Sequence, residues 1–95
     1  MSVYMIVDIE VHDPAAYEQY KAGVPPLVHR HGGEYLVRGG PLRVFEGDWN
    51  PARLVVLRFP TMDDAKAFVN DPEYQPLKAL RQQSTRSNMV IVEGI

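Results

Sequence analysis

Seven side chains are of types that can act on a small molecule: His29, Arg38, Glu46, Trp49, Asp71, Tyr74 and Arg81. Arg81 follows Tyr74 by seven positions and Leu77 by four, so a helix here sets it on the inward stripe, where an unpaired guanidinium is costly. An anion should meet it. A structural ion pair with Glu46, Asp8, Glu10 or Glu93 is the simpler account. The sharper one makes Arg81, with Arg38, a clamp for the carboxylate or enolate of a small ligand. Glu46-Gly47-Asp48-Trp49 places a carboxylate and a large aromatic in a turn that can rim a pocket or fold Trp49 over the sheet edge. Asp71 suits a first-turn carboxylate opposing a helix dipole, with general base as the functional alternative. Tyr74 suits a core or pocket wall, and Tyr17 and Tyr20 a helix face with hydroxyls at its border.

The histidines argue against a metal. On a helix His29 and His31 lie about 200° apart and cannot converge on one ion. With no cysteine to add ligands, neither a metal nor a tightly bound cofactor is expected, although one axial His29 on a haem stays open. Gly32-Gly33 and Gly39-Gly40 fall outside phosphate-cradling patterns, and no Gly-x-Ser-x-Gly elbow occurs.

These residues must be held by elements legible in the pattern. Val3 to Val11 alternates as a strand. Asp13-Pro14 opens a helix whose stripe Tyr17, Tyr20, Val24, Leu27, Val28 is interrupted at Gly23 and Pro25-Pro26, predicting a kink or restart. Glu34 to Arg38 and Leu42 to Glu46 read as two pieces of one strand bent at Arg38-Gly39-Gly40-Pro41. A turn over residues 47–52 leads into a strand from Arg53 to Phe59, apolar on both faces. Thr61 caps a helix with Asp64 at the third position and Ala65, Phe68 and Val69 inward. Asp71-Pro72 starts another through Tyr74, Leu77, Leu80 and Arg81, and Asn88 to Glu93 is a closing strand. The order predicts an α+β, ferredoxin-like βαββαβ sandwich: a four-stranded antiparallel sheet with both helical crossovers on one face. The other face is also apolar, so a homodimer packed through the sheet faces is expected.

Ninety-five residues make a single domain, 1–95. Ten Lys and Arg against twelve Asp and Glu, a net charge of -2, argue against nucleic acid as the partner. No apolar run reaches the length of a membrane span and no basic leader precedes one, so no membrane role and a cytoplasmic location are expected.

The string Gly32-Gly33-Glu34-Tyr35-Leu36-Val37-Arg38-Gly39-Gly40 is followed by Phe45-Glu46-Gly47-Asp48-Trp49 and Phe59-Pro60. The block from Asp71-Pro72-Glu73-Tyr74 to Leu80-Arg81 and the closing Val92-Glu93-Gly94 come next in order. Together these motifs, spread over nearly the whole chain, resemble the bacterial domain-of-unknown-function family thirteen-thirty, a branch of the dimeric α/β-barrel superfamily. Asp71 departs from the serine more usual before Pro-Glu-Tyr; either residue caps a helix. The resemblance implies a ferredoxin-like subunit and a dimer in which two sheets close a barrel. It brings no reaction: relatives by fold include cofactor-free monooxygenases, haem proteins, lactone isomerases and proteins of no known chemistry. Two functions are carried forward. One is a site binding or transforming a small anionic organic molecule between helices and sheet. The other is a non-catalytic dimeric binding or stress-associated module.

Overall fold

In β1 (Val3–Val11) every second side chain from Val3 to Ile9 is buried, the alternation of a strand with one face on a core. The structure, a computed structural model, describes residues 1–95. The Asp13 carboxylate accepts from Ala16 N–H at 3.2 Å and Pro14 takes the first turn of α1 (Pro14–Gly23). Pro25 and Pro26 have no N–H to continue the ladder, and the chain restarts as α2 (Pro25–Arg30), as the sequence predicts. A Cβ at Gly23 would stand 2.8 Å from Leu77 Cδ2, so the missing side chain lets α1 press against the helix carrying Tyr74. Next come β2 (Glu34–Arg38), β3 (Arg53–Phe59), α3 (Met62–Asn70), α4 (Tyr74–Ser84) and β4 (Thr85–Glu93). Thr61 caps α3, its Oγ1 accepting from Asp64 N–H at 3.1 Å. No helix is long and apolar enough to cross a membrane.

The sheet is antiparallel throughout in the order β2-β3-β1-β4, and its helical layer lies on one face: the ferredoxin-like architecture. Register lays helix-side rows across it. One row reads Arg38, Val55, Val7, Met89; the next reads Tyr35, Leu57, Met5, Ile91. Tyr17, Val24, Leu27, Val28, Ala65, Phe68 and Tyr74 close over these rows to form the core.

Four features depart from expectation. Leu42 to Glu46 is not strand but part of an exposed loop over residues 39–52. β3 is the only neighbour of β2, and its residues already pair with 34–38, so nothing is left to pair with 42–46. The β2 irregularity falls between Tyr35 and Val37, ahead of the glycines, while Gly39 makes the exit turn at φ +71. α4 begins at Tyr74, because Asp71 and Pro72 form a turn in which Asp71 Oδ1 accepts from Glu73 N–H at 2.9 Å; β4 begins at Thr85, directly after α4.

The sheet face away from the helices carries Ile6, Val37, Val56, Val90 and Val92, with Val90 57% exposed. The 39–52 loop adds Leu42, Val44, Phe45 and Trp49, and Phe45 is 94% exposed.

Candidate functional site

A narrow slot lies between α1 and the helix-side rows of the sheet, with a cavity volume of about 30 Å³, room for little more than water. Its floor is Met5, Val7, Ile9, Val55, Leu57 and Met89, which face the helices because the strand alternation puts them there. Four tyrosines supply the walls: Tyr17 and Tyr20 from α1, Tyr35 from β2 and Tyr74 from α4. The rings of Tyr17 and Tyr20 stack at 5.7 Å, and Phe68 packs on Tyr74 at 4.6 Å.

The polar groups concentrate at one end. Lys21, Arg38 and Arg53 line the cavity and also an open cleft that they share with Glu18 and Ala22. Arg53 Nε donates to the Tyr17 hydroxyl at 3.1 Å, and its guanidinium stands 5.6 Å from the Tyr17 ring centre. Arg38 lies 4.6 Å over the Tyr35 ring and donates to the Lys21 carbonyl at 3.0 Å. Neither arginine has a carboxylate partner, whereas Lys21 pairs with Glu18 at 2.9 Å. A Cβ at Gly39 would collide with the Arg53 guanidinium, so the glycine turn also makes room for this side chain.

Deeper in, the Tyr20 and Tyr74 hydroxyls are 3.0 Å apart. Burial, then the neighbouring Tyr74, pushes the Tyr20 phenol far above its usual range, and burial raises Tyr35 as well. Both stay neutral at ordinary pH.

A second polar cluster lies elsewhere. Asp71 is buried and its Oδ2 meets His31 Nε2 at 2.8 Å and Arg30 Nη1 at 3.2 Å; Arg30 Nη2 also reaches Glu73 at 2.7 Å. The His31 hydrogen bond, then the Glu73 N–H and Arg30, hold the Asp71 carboxyl below the usual carboxylate range. The cluster ties the end of α2 to the junction of α3 and α4 and has no residue in the cavity.

Residues 2–95 match the family described as domain of unknown function, DUF1330. The chain belongs to the DUF1330 family. No curated protein matches it. Among solved structures it is similar to a protein of unknown function from Rhodopseudomonas palustris, at 17% identity and a TM-score of 0.83, covering 99% of this chain and 82% of that one. It is also similar to SnoaB, a cofactor-independent oxygenase from Streptomyces nogalater, at 20% identity and a TM-score of 0.67, covering 99% and 93%. A dimeric ferredoxin-like protein of unknown function from Jannaschia sp. matches at 17% identity and 0.67, covering 99% and 100%. At these identities the likeness is one of fold.

Of the seven residues singled out from the sequence, this DUF1330 chain brings only Arg38 and Tyr74 to the cavity. His29 is exposed on a surface groove with Glu34 and Arg58. Glu46 is exposed in the 39–52 loop, and Trp49 Nε1 donates to Asp8 Oδ2 at 2.8 Å on the far face of the sheet. Arg81 is 7% exposed and inward, as its spacing predicts, but no carboxylate meets it. Its Nη1 donates to Ser87 Oγ and its Nε is buried without a partner, which corrects the expected ion pair. Glu10 and Glu93 lie at opposite ends of β1–β4, and Asp8 on the other sheet face, which explains the missing counter-ion.

Lys21, Arg53 and Tyr35 were missed. In a regular strand Tyr35 and Arg38, three apart, face opposite ways; the irregularity after Tyr35 turns both toward the helices. Arg53 carried one usable signal, its place in the same alternation as Val55 and Leu57, which sets it on the helix side.

Proposed function

We propose that this protein binds a small anionic organic molecule in the cavity between α1 and the sheet, and that two copies pair through their open sheet faces. The binding reading rests on the charge at the mouth. Three cations face one carboxylate, that carboxylate is engaged with Lys21, and the two arginines have only a phenol and a backbone carbonyl as acceptors. An apolar slot under such a mouth fits a ligand with an apolar body and an anionic head, and it disfavours a cation. The Streptomyces nogalater relative by fold, a cofactor-independent oxygenase, supports an organic ligand handled without a resident cofactor.

A second reading, binding without catalysis, has its own support. No histidine or carboxylate lines the cavity, so proton transfer there falls to lysine or to tyrosines, two of which burial keeps protonated. Pairing is supported by the apolar open face, by the exposed Phe45 and by the dimeric Jannaschia relative.

A thermal-shift and calorimetry panel of benzoate, neutral benzamide, phenol, a lactone and haem tests the ligand reading. Stabilisation by benzoate that weakens with added salt, with none by benzamide, is the expected result. No shift with any of the five removes the ligand reading and leaves the cavity as core packing.

A further inference from the structure

The open sheet face and the loop beside it carry complementary shapes. Ile6, Trp49 and Val90, with Asp8 and Asn88, line an open groove of about 460 Å³ on that face. Trp49 is fixed as one wall, because its Nε1 donates to Asp8 Oδ2 at 2.8 Å while its ring stays exposed. An apolar cavity of about 150 Å³ already admits benzene, so this groove takes an aromatic ring. Phe45, four residues before Trp49, is almost wholly exposed and has no seat in its own chain. A lone exposed phenylalanine is unremarkable, but one flanked by exposed Leu42 and Val44 next to an apolar groove marks a docking surface.

Dimensions point to a second copy as the occupant. The chain is a flat slab of 35 × 32 × 17 Å, and its open broad face exceeds the roughly 800 Å² that each partner of a stable interface buries. Sheets packed face to face lie about 10 Å apart. Four residues of extended chain span up to about 14 Å, so a loop anchored by Trp49 on one sheet can carry Phe45 across to the other. A two-fold axis then meets both needs at once. Each copy has one groove and one Phe45, and the paired contacts close on themselves instead of propagating.

We propose that Phe45 of each subunit seats in the groove of the other, between the partner's Trp49 and the partner's Val90. The groove of either copy is incomplete alone, and the 39–52 loop is an arm that the two subunits exchange. This inference rests on the pairing through open sheet faces described above and adds a contact that sheet packing by itself does not require.

The chain has no cysteine, so introduced thiols report proximity without background. Phe45→Cys and Asn88→Cys chains, each altered at an exposed position, are mixed and oxidised; Phe45→Cys with Lys66→Cys, on the helical layer, is the control. The expected result is a mixed disulfide as the main product of the first pair, identified by intact mass, and none above collision level in the control. Phe45→Ala should raise the dimer dissociation constant about hundredfold, since burial of one phenylalanine is worth about tenfold and the two-fold counts it twice. A thermal melt verifies that the variants fold. A dimer in light scattering whose mixed disulfide does not exceed the control overturns the inference and leaves the pairing reading standing. So does a disulfide that forms within, and not between, chains of the Phe45→Cys, Asn88→Cys double variant, or an unchanged dissociation constant in Phe45→Ala. A monomer before any mutation overturns both.

Discussion

Replacing Arg38 and Arg53 by methionine, singly and together, separates the two guanidinium groups by what each already does. Methionine keeps an apolar stem of similar length, so the loss is chiefly one of charge and donors. A hydrogen bond to a charged group contributes about 1.5–3 kcal/mol, or about ten- to 150-fold in affinity. Arg38 is exposed and sits in high dielectric, which places Arg38→Met at the lower end, about tenfold weaker benzoate binding. Arg53 is half-buried against Tyr17, which places Arg53→Met higher, about fiftyfold. Stability should split in the same order. Arg53→Met strips the buried Tyr17 hydroxyl of its donor and should cost about 1 kcal/mol, whereas Arg38→Met gives up a surface bond and should be near neutral. Titration calorimetry at low and raised salt reads affinity, and urea denaturation reads stability. A double variant that binds benzoate as tightly as the unaltered protein, with the same salt dependence, would refute the reasoning, since the mouth would then carry no recognition.

Three further outcomes follow from the geometry. In multi-angle light scattering the protein should run near twice 10.8 kDa, and Val90→Lys, which puts a charge on the open face, should shift it to monomer; a monomer before any mutation removes the pairing proposal. The lowered Asp71 carboxyl stabilises the fold fully above the usual value of 3.8, and that contribution is lost as pH falls through the lower folded value. Asp71→Asn should therefore be less stable than the parent at neutral pH, with the gap closing in urea melts at about pH 2; a gap independent of pH would contradict this. Arg81→Met trades the Ser87 bond for relief of a buried, partnerless Nε, so stability should change by no more than about 1 kcal/mol; a loss above about 3 kcal/mol would point to a counter-charge that the fold supplies some other way.

The strand and helix order was legible because each element carries its own punctuation: Asp13-Pro14, Pro25-Pro26, Thr61 with Asp64. Arg81 was legible as buried because helical spacing decides direction, but its partner was not, since pairing depends on strand register across the sheet. Leu42 to Glu46 has the composition of a strand and lacks only a neighbour, which composition does not reveal. The site was half legible. Tyr74 and Arg38 follow from local pattern, whereas Tyr35 and Arg38 share a face only through an irregularity of one residue, and Arg53 arrives from the far end of a loop.

That loop has a thermodynamic consequence. Residues 39–52 leave the sheet at Arg38 and return at Arg53, so both arginines of the mouth anchor the segment that presents Phe45. A surface that orders Phe45 would restrict the loop from its tip, and a carboxylate that bridges the two arginines would restrict it from its ends, which strand pairing already holds together. Linkage makes this exchange symmetric: whatever factor a docked surface adds to ligand affinity, the ligand adds to docking. A measured dimer constant with and without benzoate would thus report on the mouth of the cavity from the opposite side of the sheet.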